Sequence, residues 1–208
     1  MDRRRRLLTA ALAGVGYGVT TSALNALSSP DGELAGTWLQ SGLRVLSTMT
    51  GAGWAWAALA VAAGRFVRSR RWGAAAGALA LVAATTVYYA LDSVLREEPV
   101  VDSDIWFWSA GAALLGPPLG VIGAYLGRPG VLGLLAALTV PVGAGVQVLV
   151  LPQGVGGVQD APEAVWARWI VAGAAVVAVI VVVRRWWAIR GGRGGRDAEL
   201  DGAVSSPR

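Results

Sequence analysis

Apolar residues along this chain come in long blocks, with most charged residues in the gaps between them. The blocks follow neither the period of an amphipathic helix nor strand alternation. Several exceed the roughly 18 residues that mark a membrane-spanning helix. Six stand out: Leu7–Leu27, Leu43–Gly64, Gly73–Leu91, Ile105–Leu126, Val131–Leu151 and Ala164–Val183. At about 1.5 Å per residue, some 20 residues cover a hydrocarbon core of about 30 Å. The pattern predicts an all-α polytopic membrane protein, a bundle of six transmembrane helices over 7–187. A short basic stretch, 1–6, precedes it. A Gly/Arg-rich tail, 188–208, follows and is read as disordered.

Arginine placement orients the bundle. The basic residues are all arginine, and fifteen of the 18 fall on one side. They are Arg3 to Arg6 before the first span, Arg65, Arg68, Arg70 and Arg71 after the second, Arg128 after the fourth, and six after the sixth. Arg44, Arg96 and Arg168 lie towards the other side. By the positive-inside rule both termini are cytoplasmic, and six crossings return the chain to its starting side. Acidic residues mirror this, nine of the 13 falling outside. The net charge of +5 therefore reflects two opposite faces. It points to contact with anionic membrane lipid and not to nucleic acid.

Tryptophans near the span ends, among them Trp38, Trp72, Trp106 and Trp187, look like interfacial belts. Trp54 and Trp56 do not fit, because they sit near mid-depth of the second span. The opening MDRRRRLLTAALAGVG resembles a secretory signal. The apolar stretch is long, however, and no clean cleavage site follows it, so it is read as a retained span.

Composition removes much chemistry. The chain has no cysteine and no histidine. Disulfides, thiolate chemistry, Cys/His metal sites and imidazole acid–base catalysis are excluded. There is no Walker motif. DGELAG, at 31–36, resembles the opening of a phosphatidyltransferase motif. The arginine and paired aspartates that such a motif needs downstream are missing, and the loop is predicted outside. The chain is expected to be no enzyme and to need no cofactor or metal. The acidic loop REEPVVDSD, at 96–104, reads as a solvated outer loop.

Three features carry the remaining candidates. Pro117 and Pro118 fall near the middle of the fourth span, within LLGPPLGVIG. Each removes a backbone donor and clashes with the carbonyl four residues earlier. They predict a helix break or kink, either lining a substrate site or only shaping the packing. Small-residue pairs, Gly14/Gly18 and Gly73/Gly77, predict close helix contacts, either within the bundle or in an oligomer or partner interface. Finally, depth counted from the cytoplasmic ends puts Asn25, Arg44, Asp92, Gln147 and Arg168 at one level, about 24–30 Å up. Tyr88, Tyr89, Trp106 and Trp108 join them. Arg44 and Asp92 lie on consecutive spans and are expected to form an ion pair, since charges in this region are rare unless paired or functional. The layer reads either as a structural clamp or as an outward-facing pocket with aromatic walls.

Taken together, TTSALNALSSP, TTVYYAL and DIWFWSAGAALLGPPLGVIGAYLG resemble a family of small multi-pass membrane proteins of actinobacteria, a domain of unknown function. The resemblance spans roughly Leu8 to Leu149. It implies a bacterial membrane location and a shared fold around GPPLG, and it carries over no activity. The function expected is that of a non-catalytic scaffold or accessory membrane component. The alternative is a small-molecule binding or transport component.

Overall fold

The described residues of the computed structural model are 2–30, 32, 34–96, 103–150 and 162–204. The acidic loop at 97–102 and the last four residues of the tail lie outside them. All regular structure among them is helical. Seven helices follow in order: α1 Arg3–Leu27, α2 Trp38–Gly51, α3 Gly53–Val67, α4 Arg70–Arg96, α5 Ser103–Tyr125, α6 Val131–Val150 and α7 Pro162–Val204. Five of them are long and apolar enough to cross a membrane. The pair α2 and α3, bent by 59°, makes a sixth span if counted as one.

The second span is therefore not the straight helix over Leu43–Gly64 that its apolar block predicts. It starts earlier and breaks at Ala52, whose extended backbone (ψ 141°) ends α2 and begins α3. Gly51 and Gly53 flank the break. Glycine in a helix interior costs about 1 kcal/mol relative to alanine, so this is where the helix is weakest.

The proline pair behaves in the opposite way. Pro117 and Pro118 both lie inside α5, which is one unbroken helix of 23 residues. The predicted break is absent there. Proline fixes φ near the helical value, so only a donor and some steric room are lost. Neighbouring helices hold the segment in place. Pro141 sits inside α6 in the same way.

The packing is built on small residues. Ala60, Ala76, Ala80 and Ala84 are fully buried. α4 lies between α1 and α5, and α3 packs on both α4 and α5. A Cβ at Gly14 would strike the Ala80 carbonyl, and one at Gly18 the Ala84 carbonyl. Gly73 and Gly77 of α4 face Gly116 and Gly120 of α5, while Gly64 and Gly123 close the α3–α5 contact. Backbones approach closely enough that no side chain fits between them. Gly14, Gly18, Gly73 and Gly77 are thus spent on contacts within the chain. α6 and α7 pair with each other, α7 also resting on α2 and α6 on α3.

α7 remains helical to Val204, past its apolar part, Pro162–Ile189, and into the tail read as disordered. Extending an existing helix needs no new nucleus, so each glycine of GGRGGR opposes it by only about 1 kcal/mol.

Candidate functional site

The helix ends gather at two opposite poles. At one, Arg6 Nη1 donates to the Val67 carbonyl at 3.2 Å, and Arg3 lies 5.9 Å from the Trp72 ring centre. This is the arginine-rich pole. The candidate layer lies at the other pole.

There, α1 ends in a cluster of acceptors and donors. Asn25 Nδ2 donates to Asp92 Oδ1 at 3.0 Å and reaches Tyr88 Oη at 3.5 Å. Arg44 Nη2 donates to the Ser28 carbonyl at 3.3 Å. Asn25, Arg44, Tyr88 and Asp92 are thereby brought together around the end of α1. The link shown between Arg44 and Asp92 runs through α1, three residues apart, by way of Asn25 and Ser28. Tyr89 meets Tyr88 edge to face at 5.1 Å.

Two other predicted members take different roles. Arg168 of α7 reaches the Val148 carbonyl of α6 at 3.5 Å. Gln147 of α6 turns to the break in the second span: its Oε1 accepts the Trp54 N–H at 2.9 Å. Trp106 and Trp108 stand on the outside of α5, 70% and 52% exposed. Residues 106 to 108 turn through about 200° of helix, so their aromatic rings cannot all face inward.

The break is satisfied from both sides. A helix end leaves backbone groups unpaired, and in hydrocarbon each must find a partner. Gln147 takes a donor at the start of α3. Tyr17 Oη donates to the Thr50 carbonyl at the end of α2. Within α3, the Ala55 N–H bonds the Ala52 carbonyl at 2.9 Å. Beside the break lies a recess with room for about one water, lined by Thr48, Ala52, Trp54, Val148, Arg168 and Val171.

This accounts for the two mid-depth tryptophans. Trp54 packs with Met49 against Ala144, Val148, Val171 and Ala175. Trp56 stands edge to face between Tyr17 and Tyr88, with ring centres 5.3 and 6.0 Å away. An aromatic column thus runs from the break to the Asn25–Asp92 bond. Along the same stretch of α1, Thr21 and Ser22 are buried, and the Ser22 hydroxyl has no hydrogen-bond partner among the described residues.

Other fastenings were not read from the sequence. Gln40 is buried, donates to the Ser29 carbonyl at 2.8 Å and accepts the Gly36 N–H at 2.9 Å. Thr37 caps α2 through the Gln40 N–H at 3.2 Å. The spacing Thr-x-x-Gln at 37–40 is that of a capping box and is the signal that points to it. Ser41 Oγ donates to Glu163 Oε1 at 3.0 Å, tying α2 to α7. No sequence signal joins residues so far apart. Among the described residues no group of His, Cys, Asp or Glu is placed to hold a metal ion.

Compared with known proteins, the chain matches no family model, no curated protein and no solved structure.

Proposed function

We propose that this chain is a non-catalytic scaffold or accessory component of a bacterial cytoplasmic membrane, crossing it six times with both termini inside. One observation carries the reading. The polar groups at the arginine-poor pole and at the break are spent on tying helices together. Asn25 joins α1 to α4, and Gln40 and Arg44 join α2 to the end of α1. Ser41 joins α2 to α7, Arg168 joins α7 to α6, and Gln147 joins α6 to α3. Such a belt acts as a clamp, which is the cheaper use of polar groups near lipid. The arginine-rich pole supports the orientation. The test is Asp92→Ala in the full chain in mild detergent. A clamp loses thermal stability and no ligand.

A second reading has its own support. The unpartnered hydroxyl of Ser22 lies one helical turn from Asn25. Buried polar groups without partners are uncommon and mark sites for small polar ligands or water. On this reading the chain is a binding or transport component, and Asp92→Ala loses a bound small molecule without unfolding.

A further inference from the structure

Three guanidinium groups converge at the arginine-rich pole, each from a different element. Arg70, at the start of α4, lies 4.8 Å from the centre of the Tyr125 ring. Arg128, in the turn after α5, lies 4.9 Å from the same centre. The two charges are therefore no more than about 10 Å apart, within about one Debye length at physiological salt. Arg65 of α3 comes from a third direction. Its Nη2 would lie 3.4 Å from a Cβ placed on Gly127, between Tyr125 and Arg128. Gly127 has φ +80°, a backbone that side chains disfavour, and it lets the turn pass close under this guanidinium.

The backbone also draws Arg65 and Arg70 together. The α3–α4 connection is only Arg68 and Ser69, and Arg68 adopts the left-handed conformation (φ 60°) with its N–H on the Gly64 carbonyl at 3.1 Å. A non-glycine residue there is strained, and the tight turn keeps both arginines at one end of the bundle.

Three like charges held close need an anion. The described acidic side chains are Asp2, Asp92 and Glu163, and the last two belong to the opposite pole. Arg70 and Arg128 both lie over the Tyr125 ring as cation–π partners, and each guanidinium presents a planar fork of N–H donors. Such a fork matches a phosphate.

We propose that Arg65, Arg70 and Arg128, arranged around Tyr125, form a binding site for the phosphate of an anionic phospholipid headgroup. The inference rests on the membrane reading of the chain, and it is independent of the choice between scaffold and transport component. The lipid lies in the leaflet at the arginine-rich pole, its phosphate in the fork and its acyl chains along α5.

The test uses the full chain in mixed micelles and reads phosphatidylglycerol adducts by native mass spectrometry. Phosphatidylcholine is the control lipid, and co-flotation with phosphatidylcholine liposomes is measured on the same preparation. Wild type should hold phosphatidylglycerol over phosphatidylcholine. Removing charge with Arg70→Gln and Arg128→Gln should weaken that binding by about fivefold each, and Tyr125→Ala should weaken it with the charge unchanged. Arg4→Gln with Arg5→Gln, exposed positions at the same pole, should change it little. A loss in Arg4→Gln with Arg5→Gln equal to that in Arg70→Gln or Arg128→Gln would overturn the site in favour of diffuse attraction. So would displacement of the lipid by inorganic phosphate at matching concentration, since the site would then take free phosphate. Co-flotation without any preference for phosphatidylglycerol would overturn the site alone. Failure to co-float would overturn the membrane reading along with it.

Discussion

Gln147 and Trp54 lie 93 residues apart, yet the Gln147 side chain accepts the Trp54 backbone N–H at 2.9 Å. This bond closes the start of α3 at a break inside an apolar segment. Gln147→Leu keeps the size and removes the acceptor. It should cost about 1–3 kcal/mol, the range for stranding a buried donor. Thermal unfolding in detergent checks this. Gln147→Glu retains an acceptor, so it should lose less than leucine if the bond, and not the shape, is what counts.

Tyr17 closes the other side of the same break through the Thr50 carbonyl. Tyr17→Phe keeps the ring against Trp56 and should cost about 0.5–1.5 kcal/mol, the net worth of one hydrogen bond. The double variant with Gln147→Leu should lose more than the sum, by about 0.5 kcal/mol or more, because both bonds hold one bend. A strictly additive pair would show that the two ends of the break are independent.

Gly120 is where the backbones of α3, α4 and α5 come closest, facing Gly64 on one side and Gly73 and Gly77 on the other. A side chain there meets backbone, which cannot give way. Gly120→Val should destabilise by at least the 1–3 kcal/mol or so typical of overpacking. Gly143, with open space around its Cβ position, is the control, and Gly143→Ala should be close to neutral. Unfolding midpoints of the two variants make the comparison.

Asn25 fastens Asp92 and reaches Tyr88. Asn25→Leu should cost about 0.5–1.5 kcal/mol, the net worth of one hydrogen bond. Asn25→Asp sets two carboxylates together and should cost at least as much. Melting curves at neutral pH distinguish these from a surface substitution, which would change little.

Much of the architecture is legible in the sequence, and for simple reasons. Block length marks spans because a bilayer demands about 20 apolar residues. Counting depth from the arginine-bearing ends puts Asn25 and Asp92 at one level, and they meet. The break at Ala52 is hidden because Gly51 and Gly53 look like the many other small-residue pairs, most of which serve close packing. Its fastenings come from α1 and α6, far away in sequence. Pro117 and Pro118 leave break and kink both open for a related reason. Proline weakens a helix locally, and the packing of Gly116 and Gly120 against α4 decides whether it breaks. For the aromatic run 106–108 the sequence gives depth alone, and depth does not say which way a ring faces.

The proposed orientation rests on charge and is checked by reporters fused to each terminus. Both should be active only in the cytoplasm, and an added fusion in the turn after α5 should agree with them. A terminus reporting from the opposite side would reverse or break the six-span account.

The most direct measurement on the scaffold reading is native mass spectrometry of the chain purified from its own membrane in mild detergent. The account predicts a chain carrying only exchangeable lipid or a co-purified protein, with Asp92→Ala melting lower and otherwise the same. A reproducible small-molecule adduct, lost in Asp92→Ala while the melting temperature holds, would contradict it and make the polar layer a binding site.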